Sequence, residues 1–503
     1  MHVLRSLVRT AALLGGMLAA WPALAHGADP VRVEHDLLGD KAVPASAYYG
    51  VQTARALENF RISGVPLSRY PDLVDGLVLT KLAAARANAA VGALDKRKAA
   101  AIERACNAVL AGRYHEQFAV DLYQGGAGTS SNMNANEVLA NVALELDGRA
   151  KGDYATIDPH DHLNMSQSTN DSYPTALKVA FLRGNDRLVP EVRKLAAAFR
   201  VKADAYLATL KMGRTEMQDA VPMTVGQELH AFAATLEAEA QNLVDAERAL
   251  YAVNMGGTAI GTGLNAPKGY AAKCARELAR LTGKPIVPTS DMIAGTASLQ
   301  GFATYSAALR NLAVTVSKIA SDLILLASGP RAGLGELNLP ALQPGSSIMP
   351  GKVNPVMPEV MNVVAFRVIG DDTAVMLAAR EGQLQLNAYE PLVAIAVLES
   401  QDLLEHTLAA FRTQCVDGIT VNDATVARHI EQTVGIVTAL NPVIGYERAT
   451  ELAAEAYRSG KGILEIVREK HILTDAQIKA LLDPAKLTGL DPAAYPKTPT
   501  KKK

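Results

Sequence analysis

Apolar residues recur at three- and four-residue spacing over most of this chain, in runs long enough to specify helices rather than strands. The clearest are "DLVDGLVLTKLAAARANAAVGAL" from Asp72, "AAIERACNAVLAG" from Ala100, "LVPEVRKLAAAFRVKADAYLATL" from Leu188 and "VGQELHAFAATLEAEAQNLVDAERALYAV" from Val225. The run from Ala297 to Ser328 has no proline and a single early glycine, which predicts one helix of about 30 residues, on the order of 45 Å long. Ala, Leu and Val occupy more than one face of these helices, so each needs apolar partners on several sides. The pattern therefore predicts a mostly α protein built on a long-helix bundle, completed by further subunits. Strand-like alternation is confined to "VRVEHDLLG", near residue 31.

Five polar stretches separate the helical runs: "YQGGAGTSSN", "DPHDHLNMSQSTNDSYP", "MGRTEMQDAVP", "GTAIGTGLNAP" and, from Gly345 to Pro355, "GSSIMPGKVNP". The last gives up helical propensity through two glycines and two prolines while gathering two serines, a lysine and an asparagine. It is not a nucleotide-phosphate loop, because five residues separate Gly345 from Gly351 and Val353 follows Lys352. "GTGLNA" fits a loose dinucleotide pattern, yet no strand precedes it and a proline follows. "DPHDH" (158–162) holds carboxylates and imidazoles in a proline-containing turn without ligands at helical spacing, so it reads as a hydrogen-bonded loop.

"SQSTND" (166–171) and "GGAGTSSNMNANE" (125–137) each place hydroxyls and amides just before a helix, the first helix starting near Tyr173. N-capping accounts for one or two such residues, not for all of them. A helix N-terminus offers free N–H groups and partial positive charge, so converging loops of this kind would bind a small dianion without a metal or cofactor.

Charge excludes some functions. Fifty basic residues face 51 acidic ones and aromatics make up 5%, which argues against a nucleic-acid partner and base-stacking platforms. Residues 1–25 differ from the rest: Arg5 and Arg9 precede "AALLGGMLAAWPAL", which ends in Ala23-Leu24-Ala25. That is the pattern of a secretory signal peptide, and cleavage would leave 48 basic against 51 acidic residues, a net charge of −3. The expected product is a soluble periplasmic or secreted protein, off the membrane after cleavage. Cys106, Cys274 and Cys415 are too few and too far apart for a disulfide framework or a metal site.

"GSSIMPGKVNP" resembles the signature of the fumarase/aspartase superfamily, and the other loops match it in order from about Val33 to Leu490. "QGGAGTSSNMNANEVLAN", "KMGRTEMQDAVPMTVGQE", "GTAIGTGLN" and "GQLQLNAYEP" are similar to the aspartate ammonia-lyases of that superfamily more than to its fumarases. The resemblance implies a three-domain fold whose central long helices form a tetrameric helical core, with each active site assembled from loops of three chains. The corresponding division is a signal peptide at 1–25, an N-terminal helical domain at 26–168 and a central bundle at 169–422. A small C-terminal helical domain (423–490) and a disordered tail (491–503) follow.

The resemblance also implies a chemistry: reversible anti elimination of ammonia from L-aspartate to fumarate through an aci-carboxylate, with Ser346 as the base. Ser347, Thr129, Ser168 and Thr169 would hold the carboxylate that becomes a dianion, and Lys352 and Asn354 the other carboxylate. Asn170 and Thr215, with Thr129, would hold the amine, and Gly345 and Gly351 would be hinges of a lid. Glu216 departs from the family pattern, which has histidine or glutamine after "GRT". Either a neighbouring carboxylate, with Glu359 the candidate, leaves one of the pair protonated, or Glu216 stays charged and grips the substrate ammonium. The first is the favoured expectation. Competing expectations are a fumarase or another fumarate-releasing lyase, a non-catalytic descendant like the lens crystallins, and a periplasmic dicarboxylate or amino-acid binding module.

Overall fold

The computed structural model describes residues 30–491, 493 and 495, so the expected leader and most of the expected tail lie outside the described residues. A hairpin opens the chain: β1 (Val31–Asp36) runs antiparallel to β2 (Gly39–Pro44), where the alternation predicted a strand. Its buried Glu34 accepts the N–H of Val51 at 2.8 Å and pins the hairpin to α1 (Val51–Asn59). There follow α2 (Pro71–Ala90), with proline at its first position where no N–H is needed, then α3 (Lys96–Leu110) and α4 (Thr129–Leu146).

Helix α5 (Thr169–Ala205) has 37 residues and spans about 55 Å. Next come β3 (Leu210–Thr215), β4 (Gln218–Thr224) and α6 (Val225–Ala246), the last started by a reciprocal Thr224–Gln227 cap. Between α6 and the next long helix lie β5 (Ala252–Val253), α7 (Tyr270–Thr282), β6 (Val287–Pro288) and α8 (Met292–Ala297). The bundle continues with α9 (Gln300–Leu326), β7 (Leu337–Asn338), α10 (Val356–Arg380), α11 (Glu390–Gln414) and β8 (Thr420–Val421). Six helices close the chain: α12 (Asp423–Gln432), α13 (Val437–Ile444), α14 (Tyr446–Ser459), α15 (Ile463–Glu469), α16 (Asp475–Leu481) and α17 (Pro484–Thr488).

Three local expectations are corrected. The 297–328 run is not one helix: Ser298 is extended and its hydroxyl accepts the N–H of Gln300 at 3.2 Å, so α9 starts afresh at Gln300. The helix expected near Tyr173 starts at Thr169. "MGRTEMQDAVP", read as a loop, is the turn and body of the β3–β4 hairpin. Gly213 and Pro222 hid it, because both lower strand propensity and a register shift between Met212 and Arg214 breaks the alternation.

Helix α5 packs along α2, α6 and α11, α9 packs along α6 and α10, and α10 along α11. One continuous apolar core runs from α1 through α12. Helix α2 lies against α3, α5 and α7 and is buried along nearly its whole length, which explains its apolar character all round. A second core joins α12–α16, and Met212 of β3 belongs to it, so the hairpin is seated on the C-terminal helices. On α10, Val363 and Phe366 are each 64% exposed and Met376 is 58% exposed, an apolar stripe that no described residue covers. No described helix is long and apolar enough to cross a membrane.

Candidate active site

The starts of α4 and α5 lie side by side. Gly128 caps α4 at φ +83°, and a Cβ there would sit 2.3 Å from the Tyr173 ring, so both backbone freedom and close packing demand glycine. Thr129, the first residue of α4, is exposed and donates to Gly126 O at 2.7 Å. Asn132, one turn on, donates to Thr169 Oγ1 at 3.1 Å, joining α4 to the first residue of α5. Ser168 is the α5 N-cap: its hydroxyl accepts the Asn170 N–H (3.2 Å), while Asp171 accepts the Ser168 N–H (3.0 Å).

The "GTAIGTGLN" loop closes over this end of α5. Asn170 Nδ2 donates to Ala259 O at 2.7 Å, and Asn254 Nδ2 donates to Asn170 O at 2.9 Å. The other oxygen of Asp171 accepts the N–H groups of Gly256 (3.0 Å) and Thr258 (2.9 Å). Burial raises the Asp171 carboxyl to about 6, against the pull of these backbone donors and of Lys81. Asp171 is thus the clip between the two loops. A cleft of about 400 Å³ beside it is lined by His160, Asp161, Ser168, Thr258 and Asn265, among others. The histidines of "DPHDH" are engaged in hydrogen bonds, His160 with Gln52 and His162 with the Asp158 N–H.

The Gly345–Pro355 loop is closed at its base. Gly345 N–H donates to Lys352 O at 2.7 Å and Asn354 Nδ2 donates to Gly345 O at 2.9 Å. A Cβ on Gly345 would lie 2.7 Å from the Asn354 backbone nitrogen, so this close approach needs glycine. Ser346 is half-buried, and its Oγ accepts two backbone N–H groups, from Ile348 at 3.3 Å and Met349 at 3.1 Å. Two donors aimed at one oxygen favour its anionic form. Ser347 and Lys352 are exposed, and the Lys352 ammonium has no side-chain partner among the described residues. Ile348, 83% exposed, and Val353, 50% exposed, project from the same loop.

Thr215 and Glu216 sit at the exposed tip of the β3–β4 hairpin. The two turn residues, Glu216 (φ +52°) and Met217 (φ +65°), are both left-handed, a conformation that favours Gly or Asn and costs roughly 1 kcal/mol or more per side chain. At the hairpin's foot, Glu336 is 1% exposed and accepts from Arg214 (2.7 Å) and pairs with His429 (2.9 Å), while Lys211 Nζ lies 3.1 Å from its other oxygen.

Burial alone would raise the Glu336 carboxyl, but Arg214, Lys211 and His429 hold it below the ordinary glutamate value of 4.5. Because the folded value is the lower one, this carboxylate's stabilising contribution is present above pH 4.5 and is lost as pH falls through that lower value. Thermal melts should show the melting temperature dropping below pH 4.5. Glu336→Gln should lower stability at neutral pH by about 3 kcal/mol and flatten that acid limb. An unchanged acid limb in the variant would assign the effect to other carboxylates.

The structure therefore brings Thr129, Ser168, Thr169 and Asn170 together, and adds Asp171, Asn132 and the 254–265 loop. It places Ser346, Ser347, Lys352 and Asn354 in a second region, and Thr215 and Glu216 in a third. No hydrogen bond or ion pair among the described residues joins the three groups within one chain, nor Glu216 to Glu359. Sequence reasoning missed Asp171 as a clip, Glu336 as the hairpin's anchor, and Lys81. The signal for Lys81 was present: with Asn88, seven residues on, it is a polar residue on one face of an apolar helix.

A family model described as lyase matches residues 39–370, and one described as fumarase C C-terminus matches residues 436–489. The aspartate ammonia-lyase of Pseudomonas fluorescens is 53% identical over 454 residues, which span 90% of this chain and 95% of that protein. The aspartate ammonia-lyase of Escherichia coli K12 is 49% identical over 449 residues, spanning 89% of this chain and 94% of that protein. Among solved structures, the cobalt-bound fumarate lyase:delta crystallin from Brucella melitensis superposes with a TM-score of 0.88 at 48% identity, covering 90% of this chain and 99% of that one. The class II fumarase from Schistosoma mansoni superposes with a TM-score of 0.85 at 33% identity, covering 91% and 99%.

Proposed function

The chain belongs to the fumarase/aspartase superfamily of lyases, and from that premise we propose that it is an aspartate ammonia-lyase, eliminating ammonia from L-aspartate to give fumarate. Near-full-length relatives at about half identity favour ammonia over water as the leaving group. The observation that carries the chemistry is the Ser346 oxygen facing two backbone N–H donors. Those donors stabilise the alkoxide that a weak carbon acid requires.

In the forward reaction the Ser346 alkoxide takes a proton from the carbon beside the substrate's side-chain carboxylate. The electron pair moves into that carboxylate, giving an aci-carboxylate dianion. Thr129, Ser168, Thr169 and Ser347, with the N-termini of α4 and α5, hold the added charge. Collapse of the dianion forms the double bond and expels the amine from the neighbouring carbon, near Asn170 and Thr215. Lys352 and Asn354 hold the second carboxylate.

These groups belong to separate regions of one chain, so we place the working site at contacts between subunits of a homotetramer. The exposed stripe on α10 supports that assembly. Light scattering that found a fully active monomer would overturn it. We also infer export directed by residues 1–25; recovery of uncleaved protein from the cytoplasm alone would count against it.

The deciding assay follows fumarate absorbance from L-aspartate and from L-malate side by side. Product from aspartate alone is expected, and product from malate alone would replace this reading with a fumarase. Glu216→Gln, which keeps the shape of the side chain and removes its charge, should keep activity within about tenfold. A loss beyond about a hundredfold, on the order of 2.7 kcal/mol, would mean that a charged Glu216 grips the substrate ammonium.

A further inference from the structure

We propose that Lys81 is a positioning residue that sets the direction of the Thr169 hydroxyl, making Thr169 a hydrogen-bond donor to the substrate carboxylate; this rests on the aspartase reading above. Lys81 lies in the middle of α2 and is 1% exposed. Its Nζ donates to three amide oxygens: Asn132 Oδ1 at 2.6 Å, Gln167 Oε1 at 2.8 Å and Asn164 Oδ1 at 3.1 Å. An ammonium has three hydrogens and no lone pair, so three oxygens saturate it and each amide must turn its oxygen inward. Burial pulls the Lys81 ammonium down to about 7, and Asp171 works against that fall.

The consequence reaches the site through Asn132. With its oxygen held by Lys81, and by the Ser172 hydroxyl at 3.0 Å, its NH₂ donates to Thr169 Oγ1 at 3.1 Å and to Asn164 Oδ1 at 3.1 Å. Thr169 therefore spends its oxygen as an acceptor. Its own hydrogen finds no acceptor among the described residues and is left for a ligand at the α5 N-terminus. Without the lysine, only Ser172 and Asn164 Oδ1, itself an acceptor of Lys81, hold the Asn132 amide; once the amide turns over, the Thr169 hydroxyl donates inward to Asn132 instead of outward. In its protonated form Lys81 also sits behind a helix N-terminus, where its charge adds to the positive end of the helix dipole.

A lysine that merely filled space would act independently of Thr169. The test is a double-mutant cycle read by calorimetric titration with fumarate and by kcat/KM for aspartate. Lys81→Met keeps the stem and removes the donors; it and Thr169→Val are each expected to weaken fumarate binding roughly 10- to 100-fold. The double variant should bind within about twofold of either single one, because both act through one hydrogen bond. Multiplying losses, or unchanged fumarate affinity in Lys81→Met, would overturn the proposal.

Asn132→Asp guards against a Lys81 variant that does not fold. It keeps an acceptor for Lys81 but sets an oxygen against Thr169, which must then donate inward; fumarate affinity should fall about tenfold or more in a folded protein. Unchanged affinity there also overturns the assignment. If the wild-type protein neither binds fumarate nor forms it from aspartate, the aspartase reading and this one fall together. If it does both and the variants match it, only the role of Lys81 falls.

Discussion

Replacing Ser346 with alanine is expected to lower kcat for fumarate formation from aspartate by about 10³- to 10⁴-fold, with KM changed by less than about threefold. On the proposed mechanism the substitution removes the atom that takes the proton and leaves in place the groups assigned to the carboxylates. It should not disturb the fold, because the serine's hydrogen bonds are to Ile348 and Met349 within its own exposed loop. Losing that local cap costs about 1 kcal/mol or less. Steady-state absorbance assays with a matched thermal melt separate the two effects. A variant that kept a tenth or more of wild-type kcat would show that another group is the base.

Asp171→Ala should be the most damaging change outside the Gly345–Pro355 loop. It strands two buried backbone N–H groups, from Gly256 and Thr258, and removes the acceptor of the half-buried Ser168 N–H. Each buried, unmet donor costs roughly 1–3 kcal/mol, so a loss on the order of 3 kcal/mol or more in stability is expected. Activity should fall as well, by about a hundredfold in kcat/KM, because the released loop no longer fixes Asn170 through Ala259. Denaturant titration and initial rates measure the two parts. Full stability with lost activity would make Asp171 a substrate contact, whereas unchanged activity would dissolve the idea of a clip.

The helices were legible because burial on a 3.6-residue period leaves its mark in any window of a dozen residues. The polar loops were legible as exceptions to that pattern, and their motifs carried the family with them. The β3–β4 hairpin was not: Gly213 and Pro222 interrupt its alternation, and its turn uses Glu216 and Met217 where a local rule expects Asn or Gly. What holds it is Glu336, more than a hundred residues away, with His429 beyond that.

The amino-acid sequence by itself determined which segments are helical, which loops hold hydroxyls, amides and a lysine fit for a dianion, and the family of reactions they serve. Only the tertiary structure decided that Asp171 clasps the 254–265 loop, that Glu336 anchors the hairpin, and that Lys81 stands behind Thr169. The physical reason is range. Periodicity and capping are set by neighbours within a few residues, whereas a buried carboxylate or ammonium takes its role from partners that only the packed core brings within about 3 Å.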